Sequence, residues 1–203
     1  MEKFYIGAYE FILEELDRGR PIKDSMSDLI DLCQTFIPHP DWFRFKSLDY
    51  DESTHMRDWI TRPFREDPPS HPIRGLWFGL CNPCRNRVST ADIYVCGSDR
   101  FGLTEEDEDW AVSPFWRPEP SYACSNILAE IYRIAYQDGG LENEAEYPLC
   151  LGYGAFVVRE LLRRIDPEPI LGRSESIGVV VGFDSGDFVP LGDYGKAGWA
   201  ARE

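Results

Sequence analysis

The stretch from Ile177 to Leu191, Ile-Gly-Val-Val-Val-Gly-Phe-Asp-Ser-Gly-Asp-Phe-Val-Pro-Leu, constrains this chain more than any other. Its β-branched first half favours a buried strand. Asp184-Ser185-Gly186-Asp187 supplies turn chemistry, and Phe188-Val189 restarts an extended segment. The stretch reads as a β-hairpin at the centre of the core, and the rest of the chain must pack around it.

A hydrophobic strand running into Asp-Ser-Gly resembles the aspartic-protease signature. That chemistry needs two carboxylates sharing one proton, and a single copy needs a symmetric dimer. Asp187 sits where that family carries a small residue and adds a second charge beside the first. An ordinary turn, with Asp184 accepting from nearby backbone amides, accounts for the residues more simply.

Elements of both kinds surround the hairpin. Phe4, Ala8, Phe11 and Ile12 recur at helical spacing within residues 3 to 18, and Gly19 ends the run. Met26, Leu29, Ile30, Cys33, Phe36 and Ile37 form a second stripe, with Ser25 placed to cap its start and Pro38 to stop it. Residues 1–37 therefore form a helical hairpin. Across 38–73, prolines break the periodicity while Trp42, Phe43, Phe45, Tyr50, Trp59 and Phe64 supply anchors. That segment reads as a long irregular stretch folding back onto the core, or alternatively lining a pocket or interface.

Gly75–Leu80 and Ala91–Cys96 read as antiparallel strands. A third helix carries Ile127, Leu128, Ile131, Ile134 and Ala135. After an acidic loop, Glu142 to Glu146, a fourth carries Tyr153, Val157, Val158, Leu161, Leu162 and Ile165. Expected, then, is an α+β fold in a single domain over 1–203, with residues 74–203 supplying the sheet and later helices. The sheet is mainly antiparallel, with about four helices packed on it.

Charge bounds the partners. The chain carries 36 acidic against 21 basic residues, a formal charge of −15. Between Asp99 and Glu146, twelve acidic side chains face only Arg100, Arg117 and Arg133, so most of the excess lies there. Such a field repels nucleic acid and anionic membrane and steers a basic partner inwards. The N-terminus has no basic region followed by an apolar run, and no stretch reaches membrane-spanning length. A cytoplasmic protein is expected, with six reduced cysteines.

Reactive groups are sparse. Cys81-Asn-Pro-Cys84 has the spacing of half a zinc knuckle, but closing a tetrahedron requires Cys96, Cys124 or His71 from elsewhere. This leaves an enzyme of unrecognised type, with zinc at Cys81 and Cys84 as one form of it, as the alternative to a chain with no catalytic residue and no cofactor. A cysteine nucleophile needs a histidine base, and His39, His55 and His71 all fall in the proline-rich segment, far in sequence from Cys124.

With Gly-Leu-Trp-Phe-Gly-Leu, the acidic centre and the ending Val-Gly-Phe-Asp-Ser-Gly-Asp-Phe-Val-Pro-Leu-Gly taken together, the chain resembles the immunity proteins encoded beside bacterial polymorphic toxins. The resemblance implies a stoichiometric inhibitor without catalysis. Charge by itself fits a protein that binds a basic enzyme, and the resemblance implies that this basic partner is a toxin domain. The expected docking surface comprises Glu105, Glu106, Asp107, Glu108 and Asp109, with Trp110 and Trp116 as anchors.

Overall fold

A computed structural model describes residues 1–51, 53–82, 84–85, 88–103, 109–119, 121–184 and 186–200, with the backbone alone described at 53–55, 84–85, 88–89, 109 and 112. The opening helical hairpin is present as α1 (Glu2–Arg18) and α2 (Ile22–Phe36). Gly19 closes α1 at φ 61°, in the left-handed region that glycine adopts without penalty, and its N–H bonds Glu15 O. Ser25 does not cap α2, which starts three residues earlier behind Pro21. Its hydroxyl instead donates to the buried Glu15 carboxylate at 2.9 Å.

The proline-rich segment is more ordered than its composition suggests, holding α3 (Asp41–Lys46) and α4 (Ser53–Glu66). Pro40 immediately precedes α3, where its fixed φ is compatible with a helix start. Pro63 falls in the last turn of α4, removing one backbone donor without stopping the helix short. Trp42, Phe45, Tyr50, Trp59 and Phe64 are buried in the main core, whereas Phe43 is 79% exposed.

The sheet corrects one expectation. Its order is β5 (Tyr122–Cys124), β4 (Asp92–Ser98), β1 (Gly75–Cys81), β6 (Ser176–Phe183), β7 (Phe188–Gly195), β8 (Gly198–Trp199). The β4–β1 and β6–β7 pairs are antiparallel, as read from the sequence, but β1 and β6 pair in parallel, so the sheet is mixed. A small separate ladder, β2 (Cys84–Arg85) with β3 (Val88–Ser89), lies between β1 and β4 in the chain.

The remaining helices are α5 (Asp109–Val112), α6 (Asn126–Ala135), α7 (Asn143–Arg163) and α8 (Glu168–Leu171), so among the described residues α3, α4, α5 and α8 add to the four expected. Ser125 caps α6, its hydroxyl accepting from Leu128 N at 3.1 Å. The acidic loop before the fourth helix is itself helical: α7 starts at Asn143 and carries Glu144 and Glu146 in its first turn, where the helix dipole favours them.

α7 is the organising helix. It packs on α1, α2, α4 and α6 from one side and on β1, β6 and β7 from the other, so every residue from Pro148 to Arg159 is buried. Two glycines permit these approaches. A Cβ at Gly152 would lie 2.6 Å from Leu29 Cδ2, and one at Gly154 would lie 3.0 Å from both Leu80 and Val181. The main core that results is a cluster reaching from Phe4 to Tyr194. No described helix is long and apolar enough to cross a membrane.

Candidate functional site

The face of the sheet away from α7 carries the site. Strand alternation sends Leu76, Phe78, Leu80, Val179 and Val181 into the main core. It leaves Gly75, Trp77, Gly79 and Gly178, Val180, Gly182 on the opposite face. The parallel register pairs Gly75 with Gly178, Trp77 with Val180 and Gly79 with Gly182. Two glycine pairs thus flank one bulky pair and make two flat shelves.

Aromatic rings occupy those shelves. The Tyr94 ring lies where a side chain at Gly79 would sit, and the Phe101 ring lies where one at Gly178 would sit. A Cβ at Gly182 would come within 2.6 Å of Phe188 Cβ and 2.8 Å of Trp77 Cη2. Trp77 stands between the shelves, edge-on to Trp110 at 6.3 Å and to Phe188 at 5.7 Å. Trp77, Cys96, Trp110 and Val180 form a second apolar cluster, separate from the main core, with Tyr94, Phe101 and Phe188 against it.

Between that cluster and the tip of the β6–β7 hairpin is a cavity of about 390 Å³, within the size range of small-ligand sites. Trp77, Trp110, Tyr94, Tyr122, Phe183 and Phe188 give it aromatic walls, and Asp184, Arg117, Ser121 and Cys96 give it polar points. The Tyr94 hydroxyl donates to Asp184 Oδ1 at 2.6 Å. Tyr122, half exposed, tilts against Tyr94 at 5.3 Å.

Burial raises the Tyr94 hydroxyl above the ordinary tyrosine pKa, and the adjoining Asp184 carboxylate raises it further. Burial also pushes the Cys96 thiol up to about 12, more than the nearby Arg117 charge lowers it. At neutral pH the pocket therefore presents a neutral phenol and a neutral thiol. That arrangement suits binding through ring faces, a carboxylate and a guanidinium; Cys96 in this state is a poor nucleophile.

Of the residues singled out from the sequence, Trp110 and Trp116 fall in different apolar clusters. Glu105, Glu106, Asp107 and Glu108 lie outside the described residues, as does the side chain of Asp109, whose backbone opens α5. Trp110 is 2% exposed; it donates to Gly102 O at 2.8 Å and forms a wall of the cavity. Trp116 is 5% exposed, packs on Phe64 at 4.6 Å and donates to Asp67 O at 2.7 Å, within the main core. In the free protein neither ring stands out from the surface.

Cys81 is half-buried and the Cys84 side chain lies outside the described residues. Strand register places Cys81 and Cys124 two strands apart, on either side of Asp92. Among the described residues no three His, Cys, Asp or Glu side chains are grouped to hold a metal ion. His39 Nδ1 accepts from Asp41 N at 3.2 Å and His71 lies against Phe115, while the His55 side chain is outside the described residues.

Sequence reasoning did not assemble Trp77, Tyr94, Tyr122, Asp184 and Phe188 as one site. A signal was present: Gly75-Leu-Trp-Phe-Gly79 and Gly178-Val-Val-Val-Gly182 share the same glycine spacing, which acquires meaning only when the two strands pair in register. Comparison with protein-family models, curated proteins and solved structures finds no match to this chain. The site is read from its own geometry.

Proposed function

We propose that this is a cytoplasmic binding protein of the immunity type, a stoichiometric inhibitor that docks on a basic toxin enzyme. One observation carries the reading: most of the −15 formal charge is concentrated between Asp99 and Glu146, and the run Glu105–Asp109 leads directly into Trp110, a wall of the aromatic cavity. Asp184, on the hairpin tip, adds a carboxylate to the same cavity. A one-signed field of this kind raises the association rate with a cationic partner and disfavours anionic ones.

The test uses the protein product of the reading frame adjacent to this chain's gene. Co-expression relieves the toxicity of that product, and calorimetry gives a one-to-one complex whose Kd rises with salt. Replacing Glu105, Glu106, Asp107, Glu108 and Asp109 together by their amides weakens the complex and flattens its salt dependence. A toxic neighbour that is neither bound nor neutralised overturns the reading, and unchanged affinity in the amide variant rejects this surface.

A further inference from the structure

We infer that the aromatic cavity is the acceptor for an arginine side chain of the basic partner, an inference that rests on the docking function proposed above. The cavity is walled by the indoles of Trp77 and Trp110, the phenol rings of Tyr94 and Tyr122, and Phe188. Ring faces attract a cation through their quadrupole, indole most strongly. A guanidinium suits such walls better than an ammonium, because it is planar, more weakly hydrated and stacks on ring faces.

Asp184 supplies the countercharge. Its Oδ1 accepts from Tyr94, which fixes the carboxylate at the cavity wall instead of leaving it to swing with the hairpin tip. Tyr94 is itself seated on the Gly79 shelf, so the Tyr94–Asp184 wall of the acceptor rests on two strands and a turn that do not depend on the ligand. About 390 Å³ accommodates a guanidinium with part of its alkyl stem.

Arg117 also lines the cavity, and it is exposed. Its charge opposes an incoming cation, and because the side chain is exposed solvent screens that repulsion.

The experiment titrates the full chain with acetyl-arginine amide and with its neutral isostere acetyl-citrulline amide, following tryptophan fluorescence. The expected result is saturable binding of the arginine compound with a Kd on the order of 1 to 10 mM, as a single side chain supplies. Binding of the citrulline compound is about tenfold weaker or absent, an energy difference of about 1.4 kcal/mol. Asp184→Asn weakens arginine binding about tenfold and Arg117→Gln leaves it equal or tighter. Tyr122→Ala, whose ring is half exposed and so removable without loss of the fold, also weakens it.

Equal binding of the citrulline compound, preference for acetyl-aspartate amide, or no saturable signal overturns the inference. The two proposals fail separately. If Asp184→Asn and Tyr122→Ala leave neutralisation of the adjacent toxic protein intact, the arginine acceptor is wrong and the docking function stands; if the wild-type chain does not bind that protein, the docking function falls on its own evidence.

Discussion

Tyr94 donates its hydroxyl to Asp184 Oδ1 at 2.6 Å, a bond between residues ninety positions apart that joins β4 to the tip of the β6–β7 hairpin. The ring reaches there by crossing β1 at Gly79, its antiparallel partner, whose missing side chain is the space the phenol fills. One glycine, one phenol and one carboxylate thus fix one wall of the cavity.

Gly79→Ala is the sharpest test of that arrangement, because the new methyl would occupy the Tyr94 ring position. Overpacking of this kind costs about 1 to 3 kcal/mol, and for a chain of this length each kcal/mol lowers Tm by about 2 to 4 °C. Adding Tyr94→Ala removes the overlap, so the double variant is less destabilised than the sum of the single ones. Strict additivity in thermal melts would show that the ring is not what Gly79 accommodates.

Alkaline titration reports the buried phenols. Burial is the main cause that raises Tyr50, Tyr94 and Tyr132 above the ordinary tyrosine value of 10.0, and it pushes Tyr194 up to about 12. A folded-state pKa above the unfolded one stabilises the neutral form. That contribution is whole below pH 10 and is lost as pH rises through the folded value. Tyrosinate absorbance near 295 nm therefore rises in two stages, the second coinciding with loss of the near-ultraviolet dichroism. A single stage near pH 10 with the fold intact would contradict it.

Glu15 makes the corresponding prediction at low pH. Burial raises its carboxyl, but hydrogen bonds from Arg20, Ser25 and Arg18 together outweigh that and hold it below 4.5. A depressed folded pKa gives stability that is whole above about pH 4.5 and is lost as pH falls through the folded value. Glu15→Gln costs about 2 kcal/mol near neutrality, the value of hydrogen bonds to a charged group, and flattens the acid branch of the denaturant midpoint against pH. An unchanged acid branch would place the acid sensitivity elsewhere.

Thiol accessibility follows from the same packing. Cys33, Cys96 and Cys150 are buried, whereas Cys81 and Cys124 are half-buried. Burial pushes Cys33 and Cys96 up to about 12, so at pH 8 only about one part in ten thousand is thiolate. Among these five thiols, reaction with an aromatic disulfide reagent followed by peptide mapping labels Cys81 and Cys124 first and leaves Cys33, Cys96 and Cys150 unlabelled until denaturant is added. Early labelling of Cys96 would mean that the cavity opens to the reagent.

The sequence by itself determined the elements whose periodicity is unmixed: α1, α2 and α6 by their apolar stripes, the β1–β4 pair, and the β6–β7 hairpin with its turn. It found α7 by the stripe from Tyr153 to Leu162 but began the helix too late, because Glu144, Glu146 and Pro148 make its first turns read as an acidic loop. Proline content hid α3 and α4, since a proline at a helix start or in a last turn leaves most of the backbone ladder intact.

Tertiary structure alone decided that β1 and β6 lie side by side in parallel and in register. Alternation along a strand tells which residues share a face, but not which strand that face will join across a long connection. The shelves for Tyr94 and Phe101, and the cavity walled by Trp77, Trp110 and Phe188, arise only from that pairing, because each strand alone carries two separated glycines and no surface.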